Sequence, residues 1–326
     1  EIPPQLQIEA RSQLKQFIEN SFKENHLKFK DLTVYSSPTR LTLYVKNLSE
    51  KIKIDAKEIK GPKVGSPDQV LQGFIKAKSV SEKDLIEKET EKGKFFFIKT
   101  QPQVILTEEL LKKIVPKAIG SINWKRSMRW SDHNLMWGRP LRSIFARFNN
   151  NKLLFKFDHL ETNDEVIIEQ DLIIKTKKIK NYAEYLAFLK SHEIIVDHEE
   201  REKIILKKIN SVAKSKQYKE HLNPKLLEEV VNIVEDPNLL LVNFNKDYLK
   251  IPQEIIISTL EKNQRYFPIF DSRDRLTNYF FVIANKKDEK KLITEGNKRV
   301  VEARLADAKF FWDKDRSKNL IKQIGN

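Results

Sequence analysis

Hydrophobic positions over residues 5 to 25 recur at helical spacing. Leu14, Phe17, Ile18 and Phe22 share one face and predict an amphipathic helix. Residues 31 to 36 and 40 to 47 predict two strands broken at Ser37-Pro38; in the second, Leu41, Leu43 and Val45 alternate with polar neighbours. A strand is predicted over 52 to 60, ended by Gly61-Pro62, and a helix over 67 to 78. Ser81 with Asp84 resembles a capping box that opens a short helix. Residues 87 to 100 predict a hairpin turning at Lys92-Gly93, and 107 to 120 a helix that Pro116 must kink or end.

Residues 140 to 147 and 152 to 160 predict a second hairpin across Asn149-Asn150-Asn151. Over 161 to 180 the chain turns from acidic to basic. Helices follow at 181 to 191 and 198 to 216, with Asp197 and Glu200 fitting a capping box for the second. A loop at 217 to 223 leads to Pro224, which suits the first turn of a helix reaching about 234. The last third predicts strands at 239 to 244, 265 to 270 and 276 to 284, and helices at 252 to 263 and 298 to 316. Gly296-Asn297 is placed at the start of the final helix, with Val300, Leu305, Ala308 and Phe311 buried; Arg299, Arg304 and Asp307 read as a structural ion-pair network.

Helices and strands alternate irregularly and without repeats. The predicted fold class is therefore α+β: a multi-subdomain mixed body with antiparallel sheets and flanking helices. Boundaries fall at 1–115 (an α+β subdomain), 116–175 (a Trp/Arg-rich hairpin subdomain), 176–222 (a helical segment) and 223–326 (a second α+β subdomain). A length of 326 residues suffices for several cores.

Charge changes the picture at one place above all. The chain carries 61 basic and 46 acidic residues, a net +15, which favours a polyanionic partner. Abundant Lys, Ile and Asn beside only 8 glycines is also what AT-rich coding produces, so clustering says more than the total. Residues 116 to 148 hold three of the four tryptophans, both methionines, and seven cations against the single acid Asp132. Arginine beside wide rings can grip phosphates and stack on bases. The same mixture also arises when tryptophans lie in a core under arginine stems. Core placement is favoured for the tryptophans; for Arg129, Arg139 and Arg142 both possibilities stay open.

Much chemistry is excluded. The glycines build neither a dinucleotide fingerprint nor a phosphate-binding P-loop. None of the six histidines pair at metal-ligand spacing, and cysteine is absent, which removes disulfides and thiolate sites. No nucleophile elbow is present. No apolar run of 18 residues and no signal peptide occur, so no membrane association and a cytoplasmic setting are expected. The chain opens at Glu1-Ile2-Pro3-Pro4 without methionine and is expected to be a fragment.

Ten segments resemble one family. They are EIPP at 1 to 4, SPTRLTLYV at 37 to 45, KGPKV at 60 to 64, QGFIKAKSV at 72 to 80, MRW at 128 to 130 and RPLRSIFARF at 139 to 148. Then come EEREK at 199 to 203, LLEEVVNIVEDP at 226 to 237, STLEKNQRYFPIFD at 258 to 271 and GNKRVVEARLADAKFFWDKD at 296 to 315. Together they resemble, in order and over nearly the whole chain, the β subunit of the bacterial heterotetrameric glycyl-tRNA synthetase.

The resemblance implies a non-catalytic subunit body in an α2β2 assembly. The α subunit would carry the class II site for glycine, ATP and Mg; no catalytic residue and no cofactor would lie in this chain. Its partners would be the α subunit and tRNA(Gly), with HD-type and anticodon-binding domains beyond Asn326. Candidate contacts to tRNA or the α subunit are Lys125, Arg126, Arg129, Arg139 and Arg142, then Lys177 and Lys178, then Gln264, Arg265, Arg299 and Arg304. An alternative is a pure scaffold that docks the α dimer. Two departures from the family stand out. Asn263 replaces a usual His, and a Gly-His-Arg-Phe block is missing from the region reading NDEVIIEQDLIIKTKK; if that block touches tRNA in the family, either the lysines at 175 to 180 substitute for it here or the contact is lost.

Overall fold

A computed structural model describes residues 1–78, 80–170 and 173–317. The chain opens with α1 (Pro4–Glu24), whose first turn carries a proline where no N–H partner is needed. Leu14, Ile18 and Phe22 are buried as the periodicity requires. The hairpin β1 (Asp31–Ser37) and β2 (Arg40–Lys46) packs on it, with Ser37 opposite Arg40 at the turn.

The stretch 52 to 60 is two strands rather than one: β3 (Lys51–Ile54) and β4 (Glu58–Lys63). Gly61-Pro62 does not end the second. It sits at an irregularity in the β4 ladder between Lys60 and Lys63. A Cβ on Gly61 would stand 2.6 Å from the Phe74 ring, so α2 (Asp68–Lys78) lies as close there as glycine allows. Past the short turn at Ser81, β5 (Leu85–Thr90) and β6 (Gly93–Lys99) form the predicted hairpin, and β4 and β5 flank β6. β7 (Gln103–Leu106) pairs with β3 and leads into α3 (Thr107–Ser121), which continues five residues past Pro116.

The region 128 to 163 is built from very short strands: β8 (Met128–Arg129), β9 (Met136–Trp137), β10 (Ile144–Phe145), β11 (Arg147–Phe148), β12 (Asn151–Lys152), β13 (Lys156–Phe157) and β14 (Leu160–Asn163). The long hairpin expected over 140 to 160 shrinks to the pair β11 and β12. Asn149 and Asn150 both take positive φ (45° and 63°), the conformation that suits a two-residue turn. β10 pairs instead with β14, in parallel. One hydrophobic core joins α1, α3, the β1–β2 hairpin, Trp124, Trp137 and Leu153.

β15 (Glu165–Gln170) and β16 (Ile173–Lys178) form an antiparallel hairpin where the sequence showed only a change of charge. Its inner residues Val166 and Ile168 pack with Tyr185, Phe188 and Leu189 of α4 (Tyr182–Lys190). α5 (His198–Lys216) starts at Asp197, whose side chain accepts from the N–H groups of Glu199 and Glu200 at 2.9 and 3.3 Å.

The segment 217 to 223 is not wholly loop, because β17 (Lys219–Glu220) adds an edge to the next sheet. Then come α6 (Pro224–Val231), β18 (Asn238–Asn243) and α7 (Gln253–Ser258), which runs into a π-helical turn at Thr259–Gln264. β19 (Phe267–Phe270) and β20 (Leu276–Ala284) complete a sheet of order β17-β19-β20-β18. Alternation along β20 sends Phe281 and Ile283 to the face covered by α5 and α6. It sends Phe280 and Val282 to the face covered by α8 (Leu292–Ser317) and the π turn. Both faces are buried, which is why β20 reads as a continuous apolar run.

The last helix departs from expectation in two ways. It begins before Gly296-Asn297, because Asp288 accepts from the N–H groups of Ile293 and Thr294 at 2.9 and 2.7 Å. Its buried stripe is Val301 and Leu305, with Ala308 partly buried; Val300 and Phe311 are exposed.

Candidate nucleic-acid interface

The Trp/Arg segment splits into core and surface. Trp124 and Trp137 are buried with ring centroids 4.8 Å apart, and Trp137 meets Phe157 edge-on. Gly138 makes this packing possible, since a Cβ there would stand 2.3 Å from Trp124. Trp130 differs: it is 59% exposed, against the expectation of a core residue.

The cations of this segment also divide. Lys125 pairs with Glu9 at 2.6 Å, and Arg142 is ion-paired with Glu169. Arg129 donates only to the carbonyl of His133 at 2.8 Å, and Arg139 only to that of Gly138 at 2.7 Å. Arg126 is exposed and makes no hydrogen bond or ion pair among the described residues. Arg126, Arg129 and Arg139 therefore keep their charge free of any carboxylate, whereas Lys125 and Arg142 do not.

Lys177 and Lys178 stand on β16, every residue of which is exposed. The Lys177 amino group lies 5.8 Å from the Phe188 ring centroid. Opposite Lys178 in the ladder is Glu165.

Gln264 and Arg265 end the π turn. Arg265 takes a left-handed conformation, φ 60°, uncommon for a non-glycine residue, and pairs with Glu229 at 2.6 Å. Both border an open depression of about 380 Å³ that also includes Asn285, Lys286 and Asn297 over a floor of Val230, Ile233 and Ile293. Tyr266 donates its hydroxyl to Asn297. Arg299 and Arg304 are exposed, and with Asp307 they make no ion pair among the described residues, so the expected network on this helix does not form.

Sequence reasoning missed the most buried polar cluster. Arg201 is fully buried and donates to four backbone carbonyls: Val231 and Ser36 at 2.9 Å, Ile195 at 2.6 Å and Val196 at 3.1 Å. Burial pushes its guanidinium down to about 10, with Glu235 opposing. Glu235 accepts from the hydroxyls of Ser37 and Thr39, and its N–H donates to Asn285 at 2.6 Å. Gln7 donates to the carbonyl of Asn232 at 2.7 Å and accepts from Ser36 at 2.9 Å; Arg11 donates to the Asn232 side chain at 2.8 Å. His198 borders the cluster with a buried, unpartnered Nδ1; burial first, then Arg11, pushes its imidazole down to about 4. These residues tie α1 and β1 to α5 and to the loop after α6. Ser37 and Thr39, Arg201, and Val231, Asn232 and Glu235 fall in SPTRLTLYV, EEREK and LLEEVVNIVEDP, so three family-like blocks meet at this junction; Gln7, Arg11, Ser36, His198 and Asn285 lie outside those blocks and carried no signal.

Among the described residues no group of three or more His, Asp or Glu side chains is placed to hold a metal ion, and no helix is long and apolar enough to cross a membrane. The molecule is thus a mixed α+β body with a polar knot inside and arginines without carboxylate partners among the described residues, at 126, 129 and 139 and on the last helix. The family model described as "Glycyl-tRNA synthetase beta subunit" matches residues 1–326, and the chain belongs to that family. It is 32% identical over 329 residues to the glycine–tRNA ligase beta subunit of Dictyoglomus thermophilum, covering 99% of this chain and 48% of the relative. The corresponding protein of Clostridioides difficile is 32% identical over 331 residues (99% and 48%), and that of Rickettsia felis 30% over 328 (100% and 49%). The chain spans about half the length of the curated relatives it matches.

Proposed function

We propose that this chain is the non-catalytic body of a glycine–tRNA ligase β subunit, working in the cytoplasm within an α2β2 assembly. It supports ATP-dependent glycylation of tRNA(Gly) by contacting the tRNA and the catalytic α subunit. The observation that carries this reading is the family match over all 326 residues. The uncompensated charge of Arg126, Arg129 and Arg139 adds a surface suited to phosphates. Such groups act by pairing with phosphate oxygens and releasing counterions, so they position the RNA without reading its sequence. Lys177, Lys178, Arg299 and Arg304 are the further cations available for either partner, whereas Arg265 is engaged by Glu229.

A scaffold reading, in which this body docks only the α subunit, draws on the ion pairs that already engage Lys125 and Arg142. Mixing the chain separately with tRNA(Gly) and with the α subunit decides between them. Retention of both, with tRNA binding that weakens steeply with salt, is expected. Binding of α without tRNA replaces the first reading by the second.

A further inference from the structure

Trp130 is the one exposed aromatic ring of the segment 116 to 148. A large indole left in water needs a reason, and its surroundings supply one. It borders a shallow concavity of about 20 Å³ whose other walls include Met128, His133, Leu135, Pro140 and His159. The His133 and His159 rings stack face to face, with centroids 3.6 Å apart and planes 2° from parallel. Asp158 holds the His159 Nδ1 at 2.9 Å, and Asp132 lies 3.9 Å from that of His133. Of the cations near it in the chain, Lys125 is paired with Glu9, while Arg126, Arg129 and Arg139 have no carboxylate partner among the described residues. One exposed indole, ring-lined walls and uncompensated guanidiniums form the combination that single-stranded RNA meets in its binding proteins: a π face for a base, and charge for the flanking phosphates.

We propose that Trp130 is the stacking platform for one unpaired nucleobase of the bound RNA, with Arg126 and Arg129 taking the neighbouring phosphates. This rests on the reading that the chain binds tRNA, and it adds a site and a contact mode to that reading. A protein partner fits the surface less well, because the indole would then be buried beside charges that only acidic groups could satisfy.

The test measures binding of tRNA(Gly) to the intact chain and to Trp130→Ala, Trp130→Leu, Trp130→Phe and Arg126→Ala at several salt concentrations. Stacking is sequence-tolerant and releases few counterions. Trp130→Ala should therefore lose about 5- to 100-fold in affinity at an unchanged salt slope. Trp130→Phe should keep most of the affinity, and Trp130→Leu should behave like Ala. Arg126→Ala should make the salt slope shallower by about one. Bound RNA should also shield the exposed indole from acrylamide; the difference between wild type and Trp130→Phe isolates it, since Trp124 and Trp137 are buried and the half-buried Trp312 is common to both. Wild-type chain that binds no tRNA overturns the functional reading and this inference together. Wild-type binding with an unaffected Trp130→Ala overturns this inference alone, as does full affinity in Trp130→Leu. Loss of α-subunit binding by Trp130→Ala, with tRNA binding intact, reassigns the ring to a protein contact. Exposure of the side chain makes misfolding a minor concern, and equal urea midpoints for all variants establish that they are folded.

Discussion

Arg201 donates to the backbone carbonyl of Ser36 at 2.9 Å across 165 positions of sequence. It fastens α5 to the end of β1, and through its other three carbonyls it fastens the segment between α4 and α5 and the end of α6 as well. A planar fork with five donors suits such a task, and a lysine does not. Arg201→Ala leaves several buried acceptors without donors at about 1–3 kcal/mol each, so a total loss of at least about 3 kcal/mol is expected. Arg201→Lys keeps the charge but not the fork and should fall in between. Urea midpoints measure this; an Arg201→Ala midpoint equal to wild type would mean that the junction does not hold the body together.

His198 should make stability depend on pH. Its folded value is about 4, set by burial, then Arg11, with Asp197 opposing and Arg201 adding to the depression. Its ordinary value is about 6.5. Between the two the unfolded chain binds a proton that the folded chain does not, so stability falls as pH drops from about 6.5 to about 4. His198→Phe removes that proton site and keeps a ring facing Tyr35, whose centroid is 6.4 Å away. The urea midpoint of wild type should therefore drop more steeply across this window than that of the variant. Parallel curves would contradict it.

Glycines at three positions should respond differently to the same methyl group. At Gly138 the added carbon meets the buried Trp124 ring at 2.3 Å, so Gly138→Ala should cost about 1–3 kcal/mol through overpacking. At Gly73 and Gly296, both helical, nothing lies within 4 Å. There alanine should stabilise by about 0.5–1 kcal/mol by restricting the unfolded chain and favouring the helix. Thermal midpoints separate the three; destabilisation at Gly73 or Gly296 would be the contrary result.

Local signals carried the helices. Asp197, Pro224 and the apolar stripe of α1 each act within one or two turns, so they are visible without partners. The strands between 128 and 163 were not legible, because most have two residues and their pairings, such as Ile144 with Thr162, are set by the tertiary fold. On α8 the stripe Val301, Leu305 and Ala308 follows helical spacing, and Phe310 and Phe311 fall off it; Gly296 misled because Asp288 opens the helix earlier. The polar junction was invisible for a related reason. Gln7 finds the carbonyl of Asn232 225 positions away, and no local pattern marks such a pair. Arg126, Arg129 and Arg139 were legible as cations, but their freedom from carboxylates was not, since Lys125 and Arg142 look the same in sequence and are neutralised by Glu9 and Glu169.

On the proposed function, this body grips tRNA backbone through cations that carry no carboxylate partner. The most direct test is the salt dependence of tRNA(Gly) binding in two double variants, Arg129→Ala/Arg139→Ala and Lys125→Ala/Arg142→Ala. Removing one cation that pairs with a phosphate should reduce the slope of log affinity against log salt by about one. A slope shallower by about two is expected for the first pair, and a change well below one for the second. Equal slopes in wild type and in the first pair would contradict the proposal.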